Sequence, residues 1–344
     1  LARSAVDGVR PKVEIKNMFF RVHKEVAAKV YDLFGELVSR VPTDPVNFDD
    51  VSSFQVQVHQ SKLGLDGKNM DNLMKYFTLN YPDAPLKDLK HTITNGRLSI
   101  KGKMKQAGIF VNFEESGPVH ATPDGLIEFA PDSIKTAGVP AKGLLDFFGI
   151  ETAKLLSLNE QRGLKLVGNS IIMYPDRLFP PPIMKGRVAR VEAIENELII
   201  YFDDGTKLER PPLAVPEGTF KNYQHVYGGA VRMVGNEIHE DANLMMVDMN
   251  ESNFFDFYLA EYIKHTMAGQ VNILGKSGAL VNFMPDYDDI PKRLGRKPVF
   301  DKIDSGLGEN LPVNPNSNPK EAKQKAWAHQ PKPRPVNSNN PNNY

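Results

Sequence analysis

Between Leu86 and Phe129 the chain alternates apolar and polar positions with a period of two, interrupted at regular intervals by turn residues. Leu89, His91 and Ile93 alternate with polar neighbours, Asn95-Gly96 supplies two residues that tolerate positive φ, and Leu98, Ile100 and Met104 continue on the return strand. Ile109, Val111 and Phe113 line one face of the next strand. Thr122-Pro123-Asp124-Gly125 then gives a type I turn before Leu126 to Phe129. This is a meander of antiparallel strands with one apolar face, and an apolar face must be covered.

Upstream the spacing changes. Phe19, Val22, Val26, Val30, Phe34, Leu37 and Val41 recur at steps of three and four, with Lys24, Lys29 and Asp32 between them. That spacing predicts an amphipathic helix over 15–41, ended by Pro42 and Pro45. Its polar face is not strongly basic, so it is expected to pack on the protein's own sheet and not on a bilayer. Phe54, Val56 and Val58 alternate with glutamines as a strand. A second helix is expected over 67–79, with Met70, Leu73, Met74 and Phe77 at helical spacing and Asp66 as its N-cap.

Beyond the meander, 142–158 reads as helical, GLKLVGNSIIMYP as strands, and Pro180-Pro181-Pro182 as an extended segment. RVARVEAI and ELIIYF form a hairpin about Glu195-Asn196, and Pro211, Pro212 and Pro216 mark a boundary. Strands are expected from Tyr227 to Val234, over 244–247 and over 279–284, with a helix capped by Ser252 or Asn253 running through Phe257, Leu259, Tyr262, Ile263 and Met267. After about Pro298 the chain is rich in Asn, Pro and Lys, with Trp327 its one large apolar residue, a composition that does not offset the entropy of ordering. The expected organisation is an arm over 1–14, a main α+β domain over 15–210, a smaller α+β lobe or sheet extension over 211–297, and a disordered tail over 298–344.

Composition narrows the chemistry. Lys+Arg and Asp+Glu are both 42, so no overall charge draws the chain to nucleic acid. Cysteine is absent, which removes disulfides, thiolate catalysis and Cys-based zinc sites. The scattered histidines show no HExxH spacing, no GxSxG elbow occurs, and Gly275-Lys276-Ser277-Gly278 lacks the glycine spacing of a phosphate loop and reads as a hairpin turn. A hydrolase would need His59, His91 or the acidic cluster Asp286, Asp288, Asp289 to converge in one cleft. That acidic cluster lacks EF-hand spacing and reads as a solvated loop. The run Lys292, Arg293, Arg296, Lys297 balances it, or meets anionic head groups as a weak, salt-sensitive patch. No catalytic residue, metal ligand or cofactor is assigned.

The order of elements, with LMKYFTLNYPDAPLKDL, GRLSIKGKM, GIFVNF, TPDGLIEF and GLKLVGNSIIMYPDRLFPPP, resembles bacterial relatives of the tubular lipid-binding proteins, and is similar in layout to the secreted LmeA-like group, over about residues 15–205. The resemblance implies a long curved antiparallel sheet wrapped on an N-terminal amphipathic helix, with an apolar channel for acyl chains and no catalytic residues. Burial of such a chain is driven at about 0.8 kcal/mol per methylene. The family has no fixed contact motif, so the candidate lipid-binding residues come from the apolar faces: Phe19, Val22, Val26, Val30, Phe34, Ile100, Met104, Ile109, Val111 and Phe113. The expected function is non-catalytic carriage of a lipid or other apolar molecule, with a peripheral membrane contact, in the bacterial cell envelope after removal of a signal peptide. The first residue, Leu and not Met, agrees with processing or with truncation. The alternative is an envelope structural or interaction protein with a filled core.

Overall fold

A computed structural model describes residues 8–295 apart from 137–138, 141–152, 155, 157–158, 208–218, 236 and 275–277. The expected helix over 142–158, the prolines at 211, 212 and 216, and the C-terminal tail therefore lie in whole or in large part outside the described residues.

The first correction concerns residues 15–41, which form a long hairpin of strands β1 (Lys12–His23) and β2 (Val26–Ser39) instead of an amphipathic helix. Two irregularities explain the misleading spacing. Met18 pairs with Val30 and Lys16 with Asp32, so Asn17 and Tyr31 drop out of the ladder opposite one another, and Asn17 sits at φ 47°. Each insertion shifts the side-chain parity by one. Inward positions therefore run Val13, Ile15, then Met18, Phe20, Val22 on β1, and Val26, Ala28, Val30, then Leu33 on β2. Two runs of period two joined by a skip imitate steps of three and four. The β-branched and aromatic content of the segment favours the pleated form.

The chain then passes through β3 (Val46–Asn47), which belongs to a small side sheet, to β4 (Phe54–Asp66) of the main sheet. Asp66 then caps α1 (Gly67–Leu73) as expected, its carboxylate accepting the N–H of Asn69 at 2.7 Å, and a π-helical turn over Met74–Thr78 completes the element. α1 directs Met70 and Leu73 into the core.

The meander is present but divided. Strands β5 (Leu86–Thr94), β6 (Arg97–Gln106) and β7 (Ile109–Gly117) pair in the expected register, Ile93 opposite Leu98 and Thr94 opposite Arg97, with Gly96 at φ 81° in the turn. At Gly117-Pro118 the chain leaves this sheet. Pro118 has no N–H to extend the ladder, and a Cβ on Gly117 would stand 2.3 Å from the carbonyl oxygen of Ala130, so only glycine admits that crossing. Strands β8 (Val119–Ala121) and β9 (Ile127–Phe129) join a second sheet across the Thr122 turn, in which Thr122 accepts the N–H of Gly125. Strands β10 (Ser133–Thr136) and β11 (Val139–Pro140) return to the first. Strands β12 (Leu164–Val167) and β13 (Ser170–Met173) extend the second.

A strap follows, from a one-turn helix at Pro175–Leu178 through the prolines, with a cis Pro181–Pro182 bond, to β14 (Ile183–Lys185), which lies parallel to β4. The hairpin of β15 (Val188–Ile194) and β16 (Glu197–Asp203) forms about Glu195-Asn196 as expected, with Asn196 at φ 65°. The remaining strands are β17 (Tyr223–Tyr227), β18 (Val231–Met233), β19 (Glu237–His239), β20 (Asn243–Asp248), β21 (Phe255–Tyr258), β22 (Gln270–Ile273) and β23 (Leu280–Met284).

These complete an 11-stranded sheet in the order β15-β16-β4-β2-β1-β17-β20-β23-β22, with β14 beside β4 and β21 parallel to β1. The strands after residue 218 thus continue the sheet that β1 begins, through antiparallel pairing of β1 with β17. The expected helix from Ser252 is a further correction. Phe255 and Phe257 are fully buried on a strand, and the helix, α2 (Tyr262–Ala268), begins only after them. FFDFY alternates, and its middle N–H, from Asp256, is taken at 2.8 Å by the Asp286 carboxylate. Ile273 pairs with Leu280 and Gly278, at φ 64°, donates to the Leu274 carbonyl, while residues 275–277 of the expected turn lie outside the described residues.

One continuous apolar core joins the covered face of the main sheet, α1 and the two meander sheets, and a smaller core around Tyr223, Met245, Val247 and Phe283 lies on the reverse face at the β22 end.

Candidate functional site

Two carbon-lined voids of about 40 Å³ each lie in the main core. The first lies against β1 and β2, over Val13, Val22, Val30 and Leu33, and is closed by Phe48, Phe54 and the strap residues Phe179, Pro182 and Met184. The second lies between β4, β16 and α1, over Leu65, Met70, Leu198 and Ile200, and is closed by Ile127, Met173 and again Phe179 and Met184. Leu63, Phe179 and Met184 border both, so the strap separates two pockets of one apolar seam. The seam exists because the inward positions of β1, β2, β4 and β16 that line it are aliphatic or aromatic, while the strap lays Phe179 and Met184 over them, Met184 from β14 in its pairing with Val56 of β4.

Among the described residues lining the first void, Gln224 is the one polar side chain. It sits on β17 opposite Ile15, is 4% exposed, and its Oε1 has no hydrogen-bond partner. A buried amide oxygen without a donor costs about 1–3 kcal/mol relative to its hydrated state. Such an atom at the wall of an apolar void is a receptor for a hydroxyl or N–H brought in from outside, or for water.

The ten candidate residues are not gathered in one place. Val22 and Val30 line the first void, and Val26 is buried in the same core. Phe19 and Phe34 lie elsewhere, Phe19 against Phe254 at 5.5 Å and Phe34 beside His59 at 6.3 Å. Ile100, Met104 and Phe113 are buried under the β5–β6–β7 sheet, Val111 is half-buried, and Ile109 is 65% exposed at a hairpin tip. Sequence reasoning missed Gln224, Phe179 and Met184. Gln224 alternates with Tyr223 and His225 like any outward residue, and only the pairing of β17 beside β1 turns it inward.

The residues considered for hydrolysis are held apart. His59 on β4 bonds Asp204 at 2.7 Å, and His91 on β5 bonds Asp71 at 2.8 Å, each on a different sheet. Asp286 turns inward to Asp256, whose carboxylate is gripped by both Nε and Nη2 of Arg21 at 2.6 Å. Burial, with Asp256 and Asp289 nearby, raises the Asp286 carboxyl above its ordinary range. His265 is fully buried, donating from Nδ1 to the Pro285 carbonyl and accepting the Tyr258 N–H at Nε2, so it is a satisfied neutral imidazole. Lys292 pairs with Asp289, while Arg296 and Lys297 lie outside the described residues. No helix among the described residues is long and apolar enough to cross a membrane.

Compared with known proteins, the chain matched no family model, no curated protein and no solved structure.

Proposed function

We propose that the protein binds a lipid or another apolar molecule without turnover, admitting it to the seam beneath the Pro175–Lys185 strap. The observation that carries this reading is the pair of carbon-lined voids that meet at Phe179 and Met184, with the unpartnered Gln224 Oε1 at the wall of one of them. An apolar tail fills the seam for the hydrophobic gain, and a hydroxyl or amide N–H near its end satisfies Gln224.

At about 40 Å³ each, the voids hold water-sized groups, whereas a cavity of about 150 Å³ is needed for a molecule the size of benzene. Entry of an acyl chain therefore requires the strap to lift. The strap is suited to this, since apart from β14 it is tied to the sheet by side-chain packing and not by a backbone ladder. The small volume favours a second reading, a structural or interaction protein whose core is complete as it stands. The extracytoplasmic setting belongs to the proposal through the resemblance to envelope lipid carriers.

Native mass spectrometry of the purified protein, followed by organic extraction, separates the two. Stoichiometric co-purified lipid that is lost on Val30→Trp or Met184→Trp is the expected result. Protein that carries nothing and takes up no fluorescent fatty acid, while folding normally, refutes the carrier reading in favour of the filled core.

A further inference from the structure

The β6–β7 hairpin ends in Gln106-Ala107-Gly108-Ile109, with Gln106 paired to Ile109 and the two turn residues at φ 47° and 84°. It carries large apolar side chains on both faces at its tip. Ile109 is 65% exposed on one face and Phe110 is 38% exposed on the other, although the same strand buries Phe113 three to four residues further on. Two adjacent large apolar side chains are thus presented to water at the end of one hairpin.

Around this tip the charge is lopsided. Lys101, Lys103 and Lys105 alternate onto the outer face of β6, and Lys105 stands opposite Phe110 in the ladder. Lys87, from β5, holds its ammonium 3.7 Å from the centre of the Phe110 ring. Lys135 joins them along an open cleft of about 400 Å³. The carboxylates paired with these lysines are Asp88, bonded to Lys103 at 2.9 Å, Asp83, bonded to Lys105 at 3.2 Å, and Glu114, which lies 3.5 Å from Lys101. Lysines outnumber them, and the ends of these ion pairs are exposed, where they are weak and readily exchanged.

We propose that the tip of the β6–β7 hairpin docks on an anionic lipid bilayer, with Ile109 and Phe110 entering the head-group boundary and Lys87, Lys103 and Lys105 facing the phosphates. An exposed apolar tip ringed by long cationic side chains is complementary to that surface in both respects. The rings and methyls leave water while the ammonium groups stay at head-group level on their flexible stems. The inference stands on the tip alone and does not depend on what occupies the seam.

The test uses the full chain and sedimentation with vesicles of phosphatidylcholine alone or containing about one third phosphatidylglycerol. Binding is expected to the anionic vesicles and to weaken sharply when salt rises to about 1 M. Ile109→Ser with Phe110→Ser should lower the affinity about tenfold or more, as two partly exposed apolar side chains are withdrawn from the interface. Lys87→Ala or Lys103→Ala should each lower it about fivefold. Ile109→Trp in a Trp327→Phe background should shift its emission to the blue on those vesicles and be quenched by brominated acyl chains. The substitutions at 109 and 110 lie at an exposed tip, and unchanged circular dichroism melts of each variant confirm the fold. Vesicle binding that is indifferent to the paired serine substitutions, or a tryptophan at 109 that stays solvent-exposed, overturns the proposal. So does the absence of binding to the anionic vesicles, and self-association that the serines abolish would then assign the tip to contact between copies.

Discussion

Glu115 offers the sharpest test of the energetics. It lies on β7 between Ile100 of β6 and Ile134 of β10, on the covered face, is 1% exposed, and its Oε2 has no hydrogen-bond partner. Burial alone raises its carboxyl to about 8. The native state therefore keeps the proton up to about pH 8, while the unfolded chain releases it near its ordinary value of 4.5. Between those limits the native state binds more protons than the unfolded one, so stability is full below about pH 4.5 and is lost as pH rises towards 8. At about 1.4 kcal/mol per pKa unit the loss reaches about 5 kcal/mol by pH 8 and about 3 kcal/mol at pH 7. Glu115→Gln keeps the shape and removes the ionisation. Urea unfolding of both proteins at pH 4 and pH 8 is the assay, and the quantity of interest is the difference between the two pH effects, in which the other titrating groups cancel. The substituted protein should be more stable than the native sequence at pH 8 by several kcal/mol more than at pH 4. Equal pH dependence in the two proteins, within about 1 kcal/mol, refutes the assignment of a buried neutral carboxyl.

Two further outcomes follow from the same structure. Burial depresses His265 to about 4, so the unfolded chain takes up a proton below about 6.5 that the native state refuses; stability is present above 6.5 and falls by about 3 kcal/mol as pH drops to 4, and this slope should flatten in His265→Gln when unfolding is followed across that range. Ala107 occupies a left-handed position at φ 47° that favours asparagine, so Ala107→Asn should raise the urea midpoint by the equivalent of about 0.5–1 kcal/mol, and a lower midpoint contradicts the turn geometry.

Much of the local structure was legible from the residues. The β5–β6 register about Asn95-Gly96, the Thr122 turn, the β15–β16 hairpin and the Asp66 cap each depend on a few neighbouring residues whose stereochemistry is decisive on its own. Of the site, Val22 and Val30 were found because they are apolar, and Gln224 was not because strand alternation reads a buried glutamine as a surface one.

What escaped reading was non-local. Residues 15–41 carry a pattern that a helix satisfies as well as a strand pair with skipped residues, and the choice falls to the ladder that β1 makes with β2 on one side and β17 on the other. The meander splits at Gly117 because Ala130 crosses there, a contact between segments with no mark in the hydrophobic pattern except a glycine and a proline. The chain itself settled which stretches turn, cap and alternate, since those depend on backbone sterics within a few residues. Only the assembled sheet decided which alternating faces are inside, because burial depends on which strand arrives alongside, and β17 reaches β1 from some two hundred residues away in the chain.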